Sequence, residues 1–158
     1  MPRNSNAGNL PSNMRKDLET KLCTDFPELY ANFQYKQFEC LDGWYDIIYR
    51  LSANLANIIS DHDDMKPNIY TAVQVKEKFG ALVFYMNRYT DEIDEAIAKA
   101  SEESLRTCET CGGEGKLLKD SWSWRTICDG CEVERERQWQ RIKAGDSDAG
   151  PPMGEMDS

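Results

Sequence analysis

The clearest pattern along the chain is an apolar stripe that begins near residues 42–43 and continues for about four helical turns. A polar run at residues 60–64 ends the stripe, and we expect a loop at residues 66–68. Steps of three and four residues place the members of the stripe on one face of an amphipathic helix. They are Trp44, Ile47, Ile48, Leu51, Leu55, Ile58 and Ile59.

A shorter helix is expected before this stripe. Ser12 is the predicted N-cap, and Met14, Leu18 and Leu22 follow at four-residue steps. The dipeptide at residues 26–27 ends the pattern, because a proline disfavours helical geometry in the residue before it. The next segment is rich in aromatic residues, which belong either to the core or to an interface. They are Phe26, Tyr30, Phe33, Tyr35 and Phe38.

Two runs of β-branched and aromatic residues, 69–77 and 81–87, predict an antiparallel hairpin with a loop at residues 78–80. Alternation in the first run predicts a sheet that is covered on one side. The apolar face of that strand would consist of Ile69, Thr71, Val73 and Val75.

Thr90 is the predicted cap of a further helix, which has an acidic first turn that complements the helix dipole. Charges at helical spacing predict a last helix after the final cysteine. The expected organisation is a flexible arm (1–12), an α+β domain (13–107), a zinc ribbon docked on it (108–131), a helix (132–144) and a disordered acidic tail (145–158).

Four cysteines near the C-terminus, Cys108, Cys111, Cys128 and Cys131, follow the pattern C-x2-C-x16-C-x2-C. This is a spacing typical of zinc sites. Two residues between the cysteines of a pair let both sulfur atoms face one metal ion, and two strand-like runs between the pairs would return the second pair over the first. Rubredoxin-type iron and redox-active dithiols are the alternatives, and the latter would favour helix N-termini in a thioredoxin-like context.

A zinc ion with four thiolate ligands has no open coordination position for water. The cysteine set therefore predicts a structural Zn²⁺ that stabilises a short ribbon, rather than a catalytic metal. Glycines at positions 112, 113 and 130 are expected to permit the tight turns of the cysteine pairs.

The chain is acidic, with 28 acidic against 19 basic residues and a net charge of −9. This makes duplex nucleic acid an unlikely main partner, since binding to it depends on cation–phosphate contacts. An acidic surface suits a basic patch on another protein, although solubility alone also explains it. No apolar run predicts a membrane span or a signal peptide, so we expect a cytoplasmic protein.

Basic and aromatic residues are interleaved at two places. Lys76, Lys78 and Arg88 flank the predicted hairpin, which also carries Tyr70, Phe79 and Tyr85. Such residues can stack on nucleobases and bind phosphates. The alternative is an exposed sheet face whose lysine stems lie along apolar neighbours. The second group lies in the ribbon hairpin and is a candidate partner-binding surface, formed by Trp122, Trp124 and Arg125.

Other reactive side chains have plain structural interpretations. Cys23 and Cys40 are expected to be buried thiols rather than nucleophiles. His62 lies in an acidic run and is expected at a solvated helix end, with a divalent-cation site as the alternative. No Ser-His-Asp or Cys-His pair is evident, so the sequence does not predict an enzyme.

Four segments, DGWYDIIYRL, QVKEKFGALVFY, ESLRTCETCGGEG and RTICDGC, occur in this order between residues 38 and 131. Together they resemble small zinc-ribbon proteins of bacteriophages and prophages, a group without an assigned activity. The resemblance implies a phage accessory protein that acts in the cytoplasm of a bacterial host. It supplies no functional residues.

The sequence thus predicts an α+β fold in which helices pack on a β-hairpin, with a docked C-terminal zinc ribbon. The expected function is non-catalytic: a phage accessory protein that binds and inhibits a host defence or regulatory protein. One alternative is a sponge that sequesters a small nucleotide signal. Another is binding of nucleic acid or a transcription complex through the ribbon.

Overall fold

The computed structural model describes residues 12–33, 37–62, 69–120 and 123–145. Its helices are α1 (Lys16–Asp25), α2 (Tyr45–Ser60), α3 (Asp91–Ser104) and α4 (Asp129–Lys143), and a 3-10 turn (Asp42–Trp44) precedes α2. Its strands are β1 (Phe38–Glu39), β2 (Ala72–Lys78), β3 (Ala81–Met86), β4 (Lys116–Lys119) and β5 (Trp124–Ile127). None of these helices has the length and apolar character needed to cross a membrane. Residues 1–11 of the predicted arm and residues 146–158 of the predicted tail lie outside the described residues.

Strands β1, β2 and β3 form one mixed sheet in that order. β1 runs parallel to β2, with Phe38 opposite Val75, and β3 runs antiparallel to β2, with Lys78 opposite Ala81 at the turn. The predicted α+β class is confirmed, but the helices accompany a three-stranded sheet rather than a hairpin alone. Sequence analysis missed β1 because a strand of two residues carries no alternation pattern.

A change of register in β2 alters which residues face the core. The pairing with β3 shifts between Ala72 and Gln74, which is the geometry of a β-bulge. Ala72 is consequently buried and Val73 is 48% exposed. The predicted apolar face is therefore wrong for Val73, and also for the exposed Ile69, while Thr71 and Val75 are buried.

The apolar stripe of α2 and the aromatic segment before β1 meet in one core. Tyr30, Phe33 and Phe38 are almost fully buried, with ring centroids 4.8 Å apart for Phe33 and Phe38. The buried Tyr30 hydroxyl forms a 2.6 Å hydrogen bond with the Ser52 hydroxyl of α2. These aromatic residues therefore belong to the core; Tyr35 lies outside the described residues.

The two predicted helix caps have different outcomes. Thr90 caps α3 as predicted, since its hydroxyl accepts a 3.2 Å hydrogen bond from the Ile93 N–H. Ser12 is not the cap of α1, which begins only at Lys16, after Arg15. The Arg15 N–H instead donates to an Asp42 carboxylate oxygen at 2.9 Å, so a tertiary contact fixes this end of the helix.

Side chains bind backbone groups along both edges of the sheet. On β1 the Phe38 N–H donates to Glu19 Oε2 at 2.7 Å, and on β3 the Leu82 N–H donates to Ser104 Oγ at 2.9 Å. The Phe38 carbonyl also accepts from the Met14 N–H at 3.1 Å. These contacts protect edges that otherwise offer pairing to a strand of another molecule.

Candidate metal centre

The sulfur atoms of Cys108, Cys111, Cys128 and Cys131 all lie within 4.8 Å of one another. The first pair follows α3, and the second pair lies where β5 ends and α4 begins. The antiparallel hairpin of β4 and β5 returns the chain and places the second pair over the first. Sixteen intervening residues are thus folded so that both pairs face one point.

This sulfur arrangement fits a tetrahedral zinc ion. A Zn–S bond of about 2.3 Å implies sulfur–sulfur separations near 3.8 Å, and the sulfur atoms of Cys111 and Cys128 are 3.8 Å apart. A thiolate set of this kind is typical of structural zinc, and the four-cysteine cluster suggests such a site. A zinc ion held there crosslinks the two cysteine pairs and has no position left for substrate.

Backbone geometry shapes the first pair. The Cys111 N–H lies 3.4 Å from Cys108 Sγ, and the Gly113 N–H lies 3.4 Å from Cys111 Sγ. Gly112 has φ +85°, a conformation that glycine adopts without steric cost. The expectation for Gly130 was wrong: it lies in the first turn of α4 without a positive φ, and a Cβ there would touch nothing within 4 Å.

The second pair lies at a helix N-terminus, which the sequence analysis did not anticipate. α4 begins at Asp129 rather than at residue 132, and the Cys128 sulfur caps it by accepting from the Cys131 N–H. This N–H lowers the pKa of Cys128 to about 7, whereas burial raises the pKa of Cys131. A helix N-terminus alone would suit a redox dithiol, but the convergence of all four sulfur atoms favours a metal.

The first cysteine pair packs directly against the turn that precedes α2. The Gly43 N–H donates to the Glu109 carbonyl at 2.7 Å, and the Leu41 N–H donates to the Glu109 carboxylate at 3.0 Å. The buried Trp44 indole N–H donates to the Thr107 carbonyl at 2.9 Å. A Cβ on Gly43 would overlap the carbonyl oxygens of Cys108 and Glu109, so this approach requires glycine.

The turn between β2 and β3 contacts the other side of the ribbon. The Thr126 hydroxyl donates to the Gly80 carbonyl at 2.7 Å, and Thr126 is fully buried. Gly80 has φ +83°, and a Cβ there would overlap the Leu117 side chain. The ribbon is thus held at two places, by the turn at residues 41–44 and by the β2–β3 turn.

Of the predicted partner-binding residues in the ribbon, Arg125 is engaged within the fold. Its guanidinium donates to both carboxylate oxygens of Glu132, at 2.6 and 3.0 Å, and lies 2.8 Å from Asp120. These acidic neighbours raise its pKa, and its side chain is only 14% exposed. Trp124 is 41% exposed and Trp122 lies outside the described residues.

The basic residues predicted on the hairpin do not form one pocket. Lys76 and Lys78 lie on β2 opposite Val83 and Ala81, with Lys78 at the turn. Tyr85, opposite Gln74, lies one diagonal step from Lys76 on the same face of the hairpin, whereas Arg88 lies beyond the end of β3. Lys78 and Ala72, the two ends of β2, are six residue steps apart, which corresponds to about 20 Å at about 3.3 Å per residue.

Instead, one exposed surface joins the hairpin and the ribbon. Phe79, in the β2–β3 turn, is 67% exposed and has φ +53°. Its ring packs edge-to-face on Trp124 of β5, with centroids 5.9 Å apart. The Lys78 ammonium lies 5.9 Å from the Phe79 ring centroid, and the Lys119 ammonium lies 4.7 Å from that of Trp124. We name these four residues, Lys78, Phe79, Lys119 and Trp124, the turn–ribbon patch.

Sequence analysis counted Phe79 among the aromatic residues of the hairpin, but it selected neither Phe79 nor Lys119 for a binding site. The available signal was the dipeptide Phe79–Gly80 between two predicted strands, at a place where Asn-Gly is the favoured two-residue turn. A bulky residue at the first position of such a turn is unusual, because both central residues take positive φ. The proximity of Lys119 follows only from the packing of the ribbon.

The remaining reactive side chains have structural partners. His62 Nε2 lies 2.7 Å from a Glu92 carboxylate oxygen in the first turn of α3; the adjacent Asp63 and Asp64 lie outside the described residues. Cys40 is fully buried, and burial raises the pKa of its thiol well above the usual value. Cys23 is half-buried against the core.

In comparisons with protein-family models, with curated proteins and with solved structures, nothing matched this chain. The findings therefore identify no family, including the phage group that the sequence resembles.

Proposed function

We propose that the protein is a non-catalytic binding protein that recognises another protein through the turn–ribbon patch, with zinc as a structural support. One observation carries the proposal: Phe79 and Trp124 are exposed, contact each other and lie on two different hairpins. Exposed aromatic side chains held in fixed positions are the usual anchors of protein interfaces. The saturated coordination of a four-cysteine site supports a role without metal catalysis.

We further propose, from the resemblance to phage proteins, that the partner is a host protein of the bacterium and that binding inhibits it. The tagged full chain would be used to isolate partners from bacterial lysate, alongside the variants Phe79→Asn and Trp124→Ala. We expect a partner whose recovery falls about 30-fold in both variants, the effect of losing about 2 kcal/mol at an interface anchor. The activity of the recovered protein would then be measured with and without the chain.

Val133→Ala is the matched control, because Val133 is 54% exposed on α4 and lies outside the patch. It should recover the partner as the unaltered chain does. A partner that is recovered equally by all variants would place binding elsewhere. A partner whose activity is unchanged by the chain would contradict the inhibitory role but leave the binding role intact.

A nucleotide sponge is less well supported by the arrangement of residues. Lys78 and Arg88 lie near opposite ends of the hairpin, so these two bases do not face one binding site. Mass spectrometry of small molecules released from the purified chain would test this alternative. A nucleotide recovered in equimolar amount would replace the proposal of a protein partner.

A further inference from the structure

We infer that the turn–ribbon patch takes a partner with an apolar pocket rimmed by carboxylates, into which Phe79 and Trp124 insert while Lys78 and Lys119 pair with the rim. The inference rests on the proposed function and names the chemistry of its partner. It depends on three features of the patch: its fixed backbone, its lysines and the orientation of its rings.

The backbone of the patch is held from both sides. The Gly80 N–H donates to the Glu77 carboxylate at 2.7 Å, and the Gly80 carbonyl accepts from the Thr126 hydroxyl at 2.7 Å. The φ value of Phe79 lies in the left-handed region, which a bulky residue occupies only at a cost. A strained residue whose side chain points into solvent indicates that the exposed ring has a use beyond the fold.

The second feature of the patch is the charge of its two lysines. Among the residues that the structure describes, no carboxylate lies within 4.0 Å of the ammonium group of Lys78 or Lys119. On a chain of net charge −9, two unpaired lysines beside exposed aromatic rings are complementary to carboxylates on a partner.

The orientation of the rings disfavours nucleic acid as the occupant. A nucleobase stacks on an open aromatic face. Here an ammonium lies over each ring, and the two rings contact each other edge to face at an interplanar angle of 63°. These contacts leave less of each ring open to a stacked base, and the negative net charge repels a polyphosphate chain.

The probe for this inference is a displayed library of random twelve-residue peptides, selected on the full zinc-bound chain and counter-selected on Phe79→Asn. We expect the recovered peptides to place apolar side chains between acidic residues. Synthetic peptides from the selection should bind at least 10-fold more weakly to the double variant Lys78→Glu/Lys119→Glu. Lys99→Glu, an exposed charge reversal on α3, is the matched control and should change binding less than 2-fold.

Three outcomes would overturn the inference. Phe79-dependent peptides without acidic residues, or unaffected by the double charge reversal, would refute the carboxylate rim and leave the proposed function standing. A (dT)20 oligonucleotide whose binding requires Phe79 and Trp124 would assign the patch to nucleic acid instead. Selected peptides whose binding does not require Phe79 and Trp124 would show that the rings are not the anchors of the patch.

Discussion

At the scale of single residues, Phe79 combines a backbone conformation that lowers stability with an exposed ring that we propose binds a partner. Its φ of +53° and the +83° of Gly80 match a turn in which both central residues take positive φ. For a non-glycine residue this conformation costs about 1–2 kcal/mol. Asparagine tolerates it better, because its short polar side chain bonds locally to the backbone.

We therefore expect Phe79→Asn to have a free energy of unfolding about 1 kcal/mol higher than that of Phe79→Leu. Both variants remove the ring contact with Trp124, but only asparagine relieves the backbone strain. Urea unfolding of the zinc-bound variants provides the comparison. Equal stabilities would show that the turn imposes no cost on a bulky side chain.

Glu19 is a second residue whose burial lowers the stability of the fold at neutral pH. Its carboxylate is buried on α1, and burial raises its pKa although it accepts the Phe38 N–H and lies near Lys16. A raised pKa means that the folded state binds more protons than the unfolded state between the two pKa values. The carboxylate therefore lowers stability as pH rises from about 4.5 through the folded-state pKa, and the loss persists at neutral pH.

Glu19→Gln removes this charge and keeps an oxygen that can accept from Phe38. We expect the variant to be more stable than the unaltered chain at pH 7, with a difference that shrinks as the pH is lowered towards 4. Thermal unfolding of both chains across this range measures the difference. A variant that is less stable at pH 7 would show that the Lys16 contact outweighs the desolvation.

At the scale of elements, long periodic patterns were predictable and short or tertiary ones were not. The stripe of α2 and the cap of α3 are local features, so their residues sufficed to predict them. β1 is two residues long and forms because β2 and Glu19 satisfy its backbone groups. The exposure of Val73 depends on a bulge that no alternation pattern reveals.

The close approach of the turn at residues 41–44 to the ribbon gives the prediction at this scale. Gly43→Ala should lower the free energy of unfolding by about 3 kcal/mol, near the upper end of overpacking costs, because its Cβ would overlap two backbone carbonyls. Backbone cannot move aside as a flexible side chain can. Denaturant unfolding of the zinc-bound chain measures the loss.

Gly130→Ala is the matched control for this substitution. It lies between two metal-binding cysteines, yet a Cβ there would touch nothing within 4 Å. Since alanine favours helices, the change should be neutral or stabilising by up to about 1 kcal/mol. If both substitutions cost the same, proximity to the cysteines rather than the contact with Cys108 and Glu109 would explain the loss.

At the scale of the whole molecule, the cysteine spacing predicted a four-sulfur cluster, and the structure places its first cysteine pair between the end of α3 and the turn before α2. The spacing identified the ligands because the metal chemistry is local. It did not predict that Glu109 would accept two N–H groups from residues 41 and 43. That arrangement arises from packing between segments far apart in sequence.

The position of the cluster implies that metal binding stabilises more than the ribbon. We expect one zinc ion per chain by native mass spectrometry, and removal by a chelator should lower the unfolding temperature. Structural zinc binding is worth about 10–16 kcal/mol in isolated finger peptides at pH 7, so losing it should cost several kcal/mol here. A chain without bound metal, or with iron, would contradict the zinc assignment.

Hydrogen exchange shows whether that stabilisation reaches the turn before α2. The Gly43 amide bonds to the Glu109 carbonyl beside Cys108, whereas the Phe38 amide bonds to Glu19, on the outer edge of the sheet. Zinc removal should therefore speed exchange at Gly43 far more than at Phe38, because only the first bond depends on the cysteine pair. Equal changes at both amides would indicate global unfolding. Unchanged protection at Gly43 would mean that the ribbon keeps its contact with the turn without the metal.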